Sequence, residues 1–116
     1  IFLSEGVIYL SAIVFMELLS GAHTKDSLKA VYELYDHFKR VNRVIIPSYK
    51  DYERAGGLIA SLQITKGYNI KKSASITNDC LIAASSRSIG ATLYTQNKKD
   101  FEAINSILDF KVIFTK

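Results

Sequence analysis

Apolar residues fall into two kinds of segment along this chain. Short continuous apolar runs predict strands, and they lie at 7–10, 44–46, 92–95 and 112–114. Longer segments between them carry apolar residues three and four positions apart, which is typical of helices that bury one face. The predicted helices cover about residues 12–20, 24–40, 48–62, 78–88 and 101–108. Helices and strands therefore alternate along most of the chain.

Capping residues support several of these helix starts. Ser11, Thr24, Ser48 and Thr77 each precede a helical segment, where a side-chain oxygen can accept from an unpaired backbone N–H group. The pair Gly56–Gly57 lies inside the third helix, and it suggests close packing against a neighbouring backbone.

The order β-α-α-β-α-α-β-α-β predicts an α/β fold with a mainly parallel sheet and helices on both faces. The 116 residues fit a single domain spanning 1–116. The apolar fraction of 48% is ordinary for a globular protein, and no apolar run approaches the roughly 20 residues that a membrane span needs. Cys80 is the single cysteine, so no internal disulfide can form. We therefore expect a cytoplasmic protein without membrane contact.

Polar residues at the ends of the predicted elements carry the candidate chemistry. Asp79 opens a helix, Asn97 and Asp100 follow a strand, and Glu17 lies within an apolar helix. Strand ends and the helix starts that follow them meet at one edge of an open α/β sheet, where ligands bind. Hard cations such as Mg²⁺ prefer oxygen ligands. The pattern predicts a divalent-metal site at this edge.

Each of these residues also has a purely structural interpretation. Glu17 could face solvent through helical rotation. Asp79 would stabilise a helix through its dipole by about 0.3–1 kcal/mol, and Asp100 could cap the helix that begins near Phe101. Cys80 is interpreted as a small core residue. The net charge of +4 is compatible with binding a polyanion, and it gains weight only where basic residues flank a site.

The ordered set of motifs resembles the PIN-domain ribonucleases, and most closely the VapC-type toxins of bacterial toxin–antitoxin pairs. The resemblance is carried by Ser11-Ala12-Ile13 with Glu17-Leu18 and Gly21, by Asp79 with Leu81-Ile82-Ala83-Ala84, and by Thr95-x-Asn97-x-x-Asp100-Phe101. It covers nearly the whole chain.

This resemblance implies a three-layer α/β/α fold and a Mg²⁺- or Mn²⁺-dependent endoribonuclease. Glu17, Asp79 and Asp100 would be catalytic acids, and Asn97 would join them as a metal ligand. Arg87, Lys98 and Lys99 would contact the RNA backbone. The implied partners are RNA, a cognate antitoxin and a second copy of the chain in a homodimer.

The start of the chain departs from the family pattern. Family members begin with a strand that ends in an Asp-Thr-Asn or Asp-Thr-Ser motif, and nothing here matches it. We therefore expect the first strand and helix of the family to be missing, the centre of the sheet to hold an unpaired position, and metal binding to be weak. The alternative function is a degenerate, non-catalytic PIN-fold module that binds an antitoxin or itself.

Overall fold

The computed structural model describes residues 2–4, 7–71 and 75–115, which contain five helices and five strands. In chain order they are β1 Phe2–Ser4, β2 Val7–Ser11, α1 Ala12–Ser20, α2 Lys25–Arg40, β3 Val44–Ile45, α3 Tyr49–Thr65, α4 Ile76–Ser88, β4 Thr92–Thr95, α5 Lys98–Asn105 and β5 Val112–Phe114. Part of the polar segment that precedes α4, at positions 72–74, lies outside the described residues.

The strands form one sheet in the order β3-β2-β1-β4-β5. The outer pairs β2–β3 and β4–β5 are parallel, whereas β1 is antiparallel to both of its neighbours. Four of the five strands consequently run in the same direction, and the prediction of an α/β fold is confirmed. The ends of β2 and β4 therefore meet at one edge of the sheet, which is where α1 and α5 begin.

The centre of the sheet differs from the expectation. Phe2 pairs with Tyr9 of β2 on one side and with Leu93 of β4 on the other, so β1 fills the central position. The prediction of an unpaired position there was wrong. The three residues of β1 are too few for strand periodicity to be recognised in the sequence. They form a strand because the neighbouring edges of β2 and β4 offer unpaired backbone N–H and C=O groups.

The first three helices begin where their caps predict. Ser11 Oγ accepts from the backbone N–H groups of Ile13 and Val14, at 3.1 and 3.5 Å. Thr24 and Ser48 each form a reciprocal capping box with the residue three positions on. These caps fix the directions in which α1, α2 and α3 leave the preceding segments.

The last two helices begin earlier than predicted. α4 starts at Ile76, so Thr77 is an exposed residue of its first turn and does not cap it. α5 starts at Lys98 and is capped by Asn97, whose Oδ1 accepts from the backbone N–H of Asp100 at 3.4 Å. The alternative interpretation of Asp100 as a helix cap is therefore wrong, because Asn97 offers the same type of acceptor three positions earlier.

α4 is the central helix of the core. Eight consecutive residues, 79–86, are buried, because α1, α3, α5 and β4 all pack around this helix. Cys80 is completely buried among them, which confirms its interpretation as a core residue. An acid at the start of such a helix, Asp79, is held on a rigid support.

The partner of α4 in its largest contact is α3. The Asp51 carboxylate, itself buried, accepts from the backbone N–H of Ser48 and from the Ser88 hydroxyl at the end of α4. The start of α3 is thereby fastened to the end of α4. The expected close packing at Gly56–Gly57 was wrong, since both residues are exposed and no packing neighbour lies within 4 Å of the position that a Cβ would occupy.

α2 contrasts with α4, because none of its residues is buried. Its apolar side is covered in part by α1, where Phe15 stacks on Tyr35 with 4.1 Å between ring centroids. Leu28, Tyr32 and Leu34 remain 40–47% exposed. In the described part of the chain, no helix has both the length and the apolar character required to cross a membrane.

Candidate metal centre

Asp79 is the buried member of the candidate site. It lies in the first turn of α4 with 6% of its surface exposed, and its Oδ2 accepts from Asn97 Nδ2 at 3.2 Å. The ion pairs found among the described residues join other side chains, Lys29 to Glu33 and Lys98 to Glu102. The Asp79 carboxylate is therefore hydrogen-bonded by the neutral amide of Asn97 and forms none of these ion pairs.

Asn97 joins the two aspartates. Its Nδ2 donates to Asp79 Oδ2 and also to Asp100 Oδ2, at 3.2 and 3.3 Å, while its Oδ1 caps α5. The sequence predicts Asn97 as an oxygen ligand, but here its oxygen is used by the helix and its nitrogen faces the acids. The turn after β4 thus brings Asp100 beside Asp79 across 21 positions of sequence.

Tyr68 is a member of the site that the sequence did not reveal. Its hydroxyl donates to Asp100 Oδ1 at 2.9 Å, and its backbone N–H is fixed to the Leu62 carbonyl at the end of α3. Both carboxylate oxygens of Asp100 are therefore hydrogen-bonded. The available signal was weak, since Tyr68 is a single aromatic residue in the segment between two predicted helices.

The electrostatics of the site are those of carboxylates close together. Burial, with the added charges of Asp100 and Glu17, raises the pKa of Asp79 from its ordinary 3.8 to about 7, against the opposing effect of the Asn97 hydrogen bond. Burial and the contact with Asp100 also raise the pKa of Tyr68 to about 12, so its hydroxyl keeps its proton at neutral pH.

Glu17 contributes at longer range. It is half-buried on α1, which packs against α4, and its charge acts on Asp79. In the ranges that the structure describes, no three side chains of His, Cys, Asp or Glu are grouped closely enough to hold a metal ion. The structure thus brings Asp79, Asn97 and Asp100 into contact and leaves Glu17 as a neighbouring charge.

The donor set nevertheless suits a hard divalent cation. Oδ2 of Asp79 and Oδ2 of Asp100 face the same amide nitrogen, so a cation replacing that nitrogen would meet one oxygen from each. Mg²⁺–oxygen distances are about 2.0–2.1 Å, which requires each oxygen to move inward by about 1 Å. A cation would also offset the charges of Asp100 and Glu17, which together with burial raise the pKa of Asp79.

The basic residues divide into two groups. Lys98 and Lys99 are exposed in the first turn of α5, directly after Asn97. Arg87 lies eight positions after Asp79 on α4, about 12 Å along the helix axis. Its Nε donates to the Asp109 carbonyl at 3.0 Å, and it lines a separate cleft of about 200 Å³ with Lys111. Arg87 is therefore not beside the acidic pair.

Cys80, next to Asp79 in sequence, takes no part in this chemistry. Burial, together with the charges of Asp79 and Asp100, raises the pKa of its thiol to about 12. A completely buried thiol that keeps its proton at neutral pH is not a nucleophile.

Comparison with known proteins agrees with the α/β fold. The PIN domain family model matches residues 1–106, and the chain belongs to this family. PIN domains are generally nucleases that use divalent metal ions. No curated protein matches the chain.

Proposed function

We propose that this chain is a Mg²⁺- or Mn²⁺-dependent endoribonuclease of the VapC toxin type. The observation that carries the proposal is the contact between Asp79 and Asp100 through one amide group, with the buried carboxylate raised in pKa and joined to no cationic side chain among the described residues. Structural ion-pair networks satisfy their buried charges with opposite ones, whereas this pair is suited to a cation supplied from solution.

In this proposal Asp79 and Asp100 are the principal metal ligands, and Glu17 completes the negative field of the site. A bound divalent ion would lower the pKa of a water molecule and offset phosphate charge during phosphodiester hydrolysis. Before a cation binds, Asn97 orients both aspartates by donating to one oxygen of each. α4 supplies the rigidity, since residues 79–86 are buried on all sides.

RNA is the proposed substrate, and Lys98 and Lys99 are the proposed backbone contacts. Both are exposed and follow the site directly on α5, although Lys98 is also paired with Glu102 at 3.5 Å. Contacts to phosphates release counterions, so RNA binding should weaken as salt is raised. Arg87 is at the far end of α4 and would reach only an RNA that extends beyond the site.

A cognate antitoxin and a second copy of the chain are the proposed partners. The exposed apolar residues of α1 and α2 support association, because this chain alone leaves them in contact with water. We refer to these residues together as the α1–α2 surface; they are Met16, Leu18, Leu28, Tyr32 and Leu34, all at least 40% exposed.

A second candidate function is a non-catalytic PIN-fold module that binds a partner. The observation in its favour is the composition of the site, since the described residues hold no group of three metal-binding side chains and the central strand Phe2–Ser4 contains no acid. Such a module would keep the fold and the α1–α2 surface without cleaving RNA.

The test is Mg²⁺- or Mn²⁺-dependent cleavage of a mixed RNA pool by the wild type, Asp79→Asn and Glu17→Gln. We expect wild-type cleavage that stops when EDTA is added, and loss of at least tenfold in each variant. Asp36→Asn on the exposed side of α2 is the matched control and should cleave normally. A wild-type chain that shows no metal-dependent cleavage, or an Asp79→Asn variant as active as wild type, would favour the non-catalytic module.

A further inference from the structure

The Asp100 carboxylate is held from two directions. Tyr68 donates to Oδ1 at 2.9 Å and Asn97 donates to Oδ2 at 3.3 Å. A carboxylate otherwise rotates readily about χ2, since this torsion has broad, roughly two-fold minima. The two donors together leave Oδ2 on the side of Asp79.

The two donors differ in what they do when a cation arrives. A cation between the aspartates takes the place of Asn97 Nδ2, so the amide cannot orient Asp100 in the metal-bound site. Tyr68 contacts the other oxygen, and its hydrogen bond is compatible with a cation on Oδ2. Tyr68 is also a neutral donor. It therefore orients the carboxylate and leaves the negative charge that attracts the cation in place, whereas Lys or Arg would cancel that charge.

We propose that Tyr68 is a positioning residue for the metal centre: its hydroxyl holds Oδ1 of Asp100 so that Oδ2 faces Asp79 and the two aspartates bind one divalent cation together. This inference rests on the proposed function and adds a residue from a different element. Tyr68 follows α3, and its backbone is fixed to Leu62 of that helix. A residue anchored to α3 thereby orients an acid that belongs to α5.

A structural role for Tyr68 would act through its ring. The ring is half-buried and packs against the core cluster, so a large truncation would disturb the loop and the core together. Tyr68→Phe removes the hydroxyl and keeps the ring. Any effect of this variant on metal binding therefore comes from the hydrogen bond, provided that circular dichroism and thermal melting show the fold unchanged.

The experiment measures Mn²⁺ affinity by electron paramagnetic resonance titration of the wild type, Tyr68→Phe, Asp100→Ala and the double variant. Loss of a hydrogen bond that orients a ligand typically costs about 10–100-fold in metal affinity, and we expect a loss in this range for Tyr68→Phe. In the Asp100→Ala background the same change should cost nothing further, since the hydroxyl then has no carboxylate to orient. Tyr52→Phe, at an exposed position on α3, is the matched control.

Tyr68→Phe with wild-type Mn²⁺ affinity would overturn this inference, and so would an equal loss in the wild-type and Asp100→Ala backgrounds. In either case, loss of Mn²⁺ binding in Asp79→Asn would leave the proposed function standing. A wild type that binds no Mn²⁺ would overturn the proposed function and the role of Tyr68 with it.

Discussion

Asp79 is a carboxylate whose surroundings favour its protonated form. Its pKa in the folded protein, about 7, lies above the ordinary value of 3.8 that it regains on unfolding. The folded state therefore binds the proton more tightly, so this contribution to stability is complete below about pH 4 and is lost as pH rises through 7. Metal-free protein should be less stable at pH 8 than at pH 5.

This pH dependence can be measured with Asp79→Asn, which is neutral at every pH. In EDTA, the free energy of unfolding of the wild type should fall by about 2 kcal/mol relative to that of the variant between pH 5 and pH 8. Urea denaturation at each pH gives both values. Parallel pH profiles for the two proteins would show that the pKa of Asp79 is not raised in the folded protein.

Asn97 places a nitrogen where a third acid would place an oxygen. Asn97→Asp keeps an oxygen to cap α5 and adds a negative charge beside Asp79 and Asp100. We expect Mn²⁺ affinity to rise about tenfold, equivalent to about 1.4 kcal/mol. Asn42→Asp, at the exposed turn after α2, adds the same charge away from the site and should leave Mn²⁺ affinity unchanged. Weaker binding by Asn97→Asp would contradict the assigned cation position.

At the level of residues, the acids were predictable and their partners were not. Asp79, Asn97 and Asp100 stand out because each follows or opens a recognisable element. The direction in which the Asn97 amide points depends on the competition between capping α5 and binding the acids, which residue type alone does not decide. Tyr68 lies 32 positions from Asp100 in sequence, and only the fold brings them together.

At the level of elements, Gly56 and Gly57 weaken α3 without any steric need for glycine. A Cβ added at either position meets no packing neighbour within 4 Å. Gly56→Ala and Gly57→Ala should each raise the free energy of unfolding by about 0.5–1 kcal/mol, because alanine loses less backbone entropy in a helix. Urea denaturation checks both.

Gly90 is the contrasting control for these two variants. It has a φ of +68° after the end of α4, in the left-handed region where a side chain is strained. Gly90→Ala should lower the free energy of unfolding by about 1 kcal/mol. If Gly90→Ala also raised the free energy of unfolding, the stabilisation by Gly56→Ala and Gly57→Ala could not be attributed to the helical conformation of α3.

The contact between α3 and α4 depends in part on the Asp51–Ser88 hydrogen bond. Ser88→Ala leaves one oxygen of a buried carboxylate without this donor, and we expect the free energy of unfolding to fall by about 1–3 kcal/mol. Ser20→Ala, which removes only an exposed hydrogen bond within α1, should cost much less. Equal losses in the two variants would show that the link between α3 and α4 is not specific.

The elements themselves could be predicted to differing degrees. Strong caps at Ser11, Thr24 and Ser48 defined their helices, because each residue satisfies an N–H group locally. β1 could not be predicted, since its three residues form a strand only between the two neighbours that pair with them. Local chemistry fixed the helix starts, and tertiary pairing fixed the centre of the sheet.

At the level of the whole molecule, apolar side chains are buried around α4 and partly exposed on α2. α4 is enclosed on all sides and carries the acid, whereas α2 has no buried residue and leaves its apolar side partly exposed. The sequence predicted α2 from the helical spacing of its apolar residues and α4 from a cap expected at Thr77. Which helix became central depended on the order of strands in the sheet, and that order includes the unpredicted β1.

The α1–α2 surface leads to a prediction about association. If it contacts a second copy, as proposed, a charge placed there should oppose assembly, because burying an unpaired charge costs several kcal/mol. We expect sedimentation velocity to show a wild-type dimer and at least tenfold weaker dimerisation for Leu28→Glu. Leu28 is 40% exposed, so the substitution does not introduce a charge into the core.

Ile64→Glu is the matched control, because Ile64 is 83% exposed on α3 and lies outside the α1–α2 surface. It introduces the same charge in place of an aliphatic side chain, and the dimer should persist. A monomeric wild type would mean that the α1–α2 surface does not bind a second copy of the chain and would leave a different partner as its occupant. Equal dissociation by Leu28→Glu and Ile64→Glu would assign association to net charge, since a specific contact between α1–α2 surfaces would respond to only one of them.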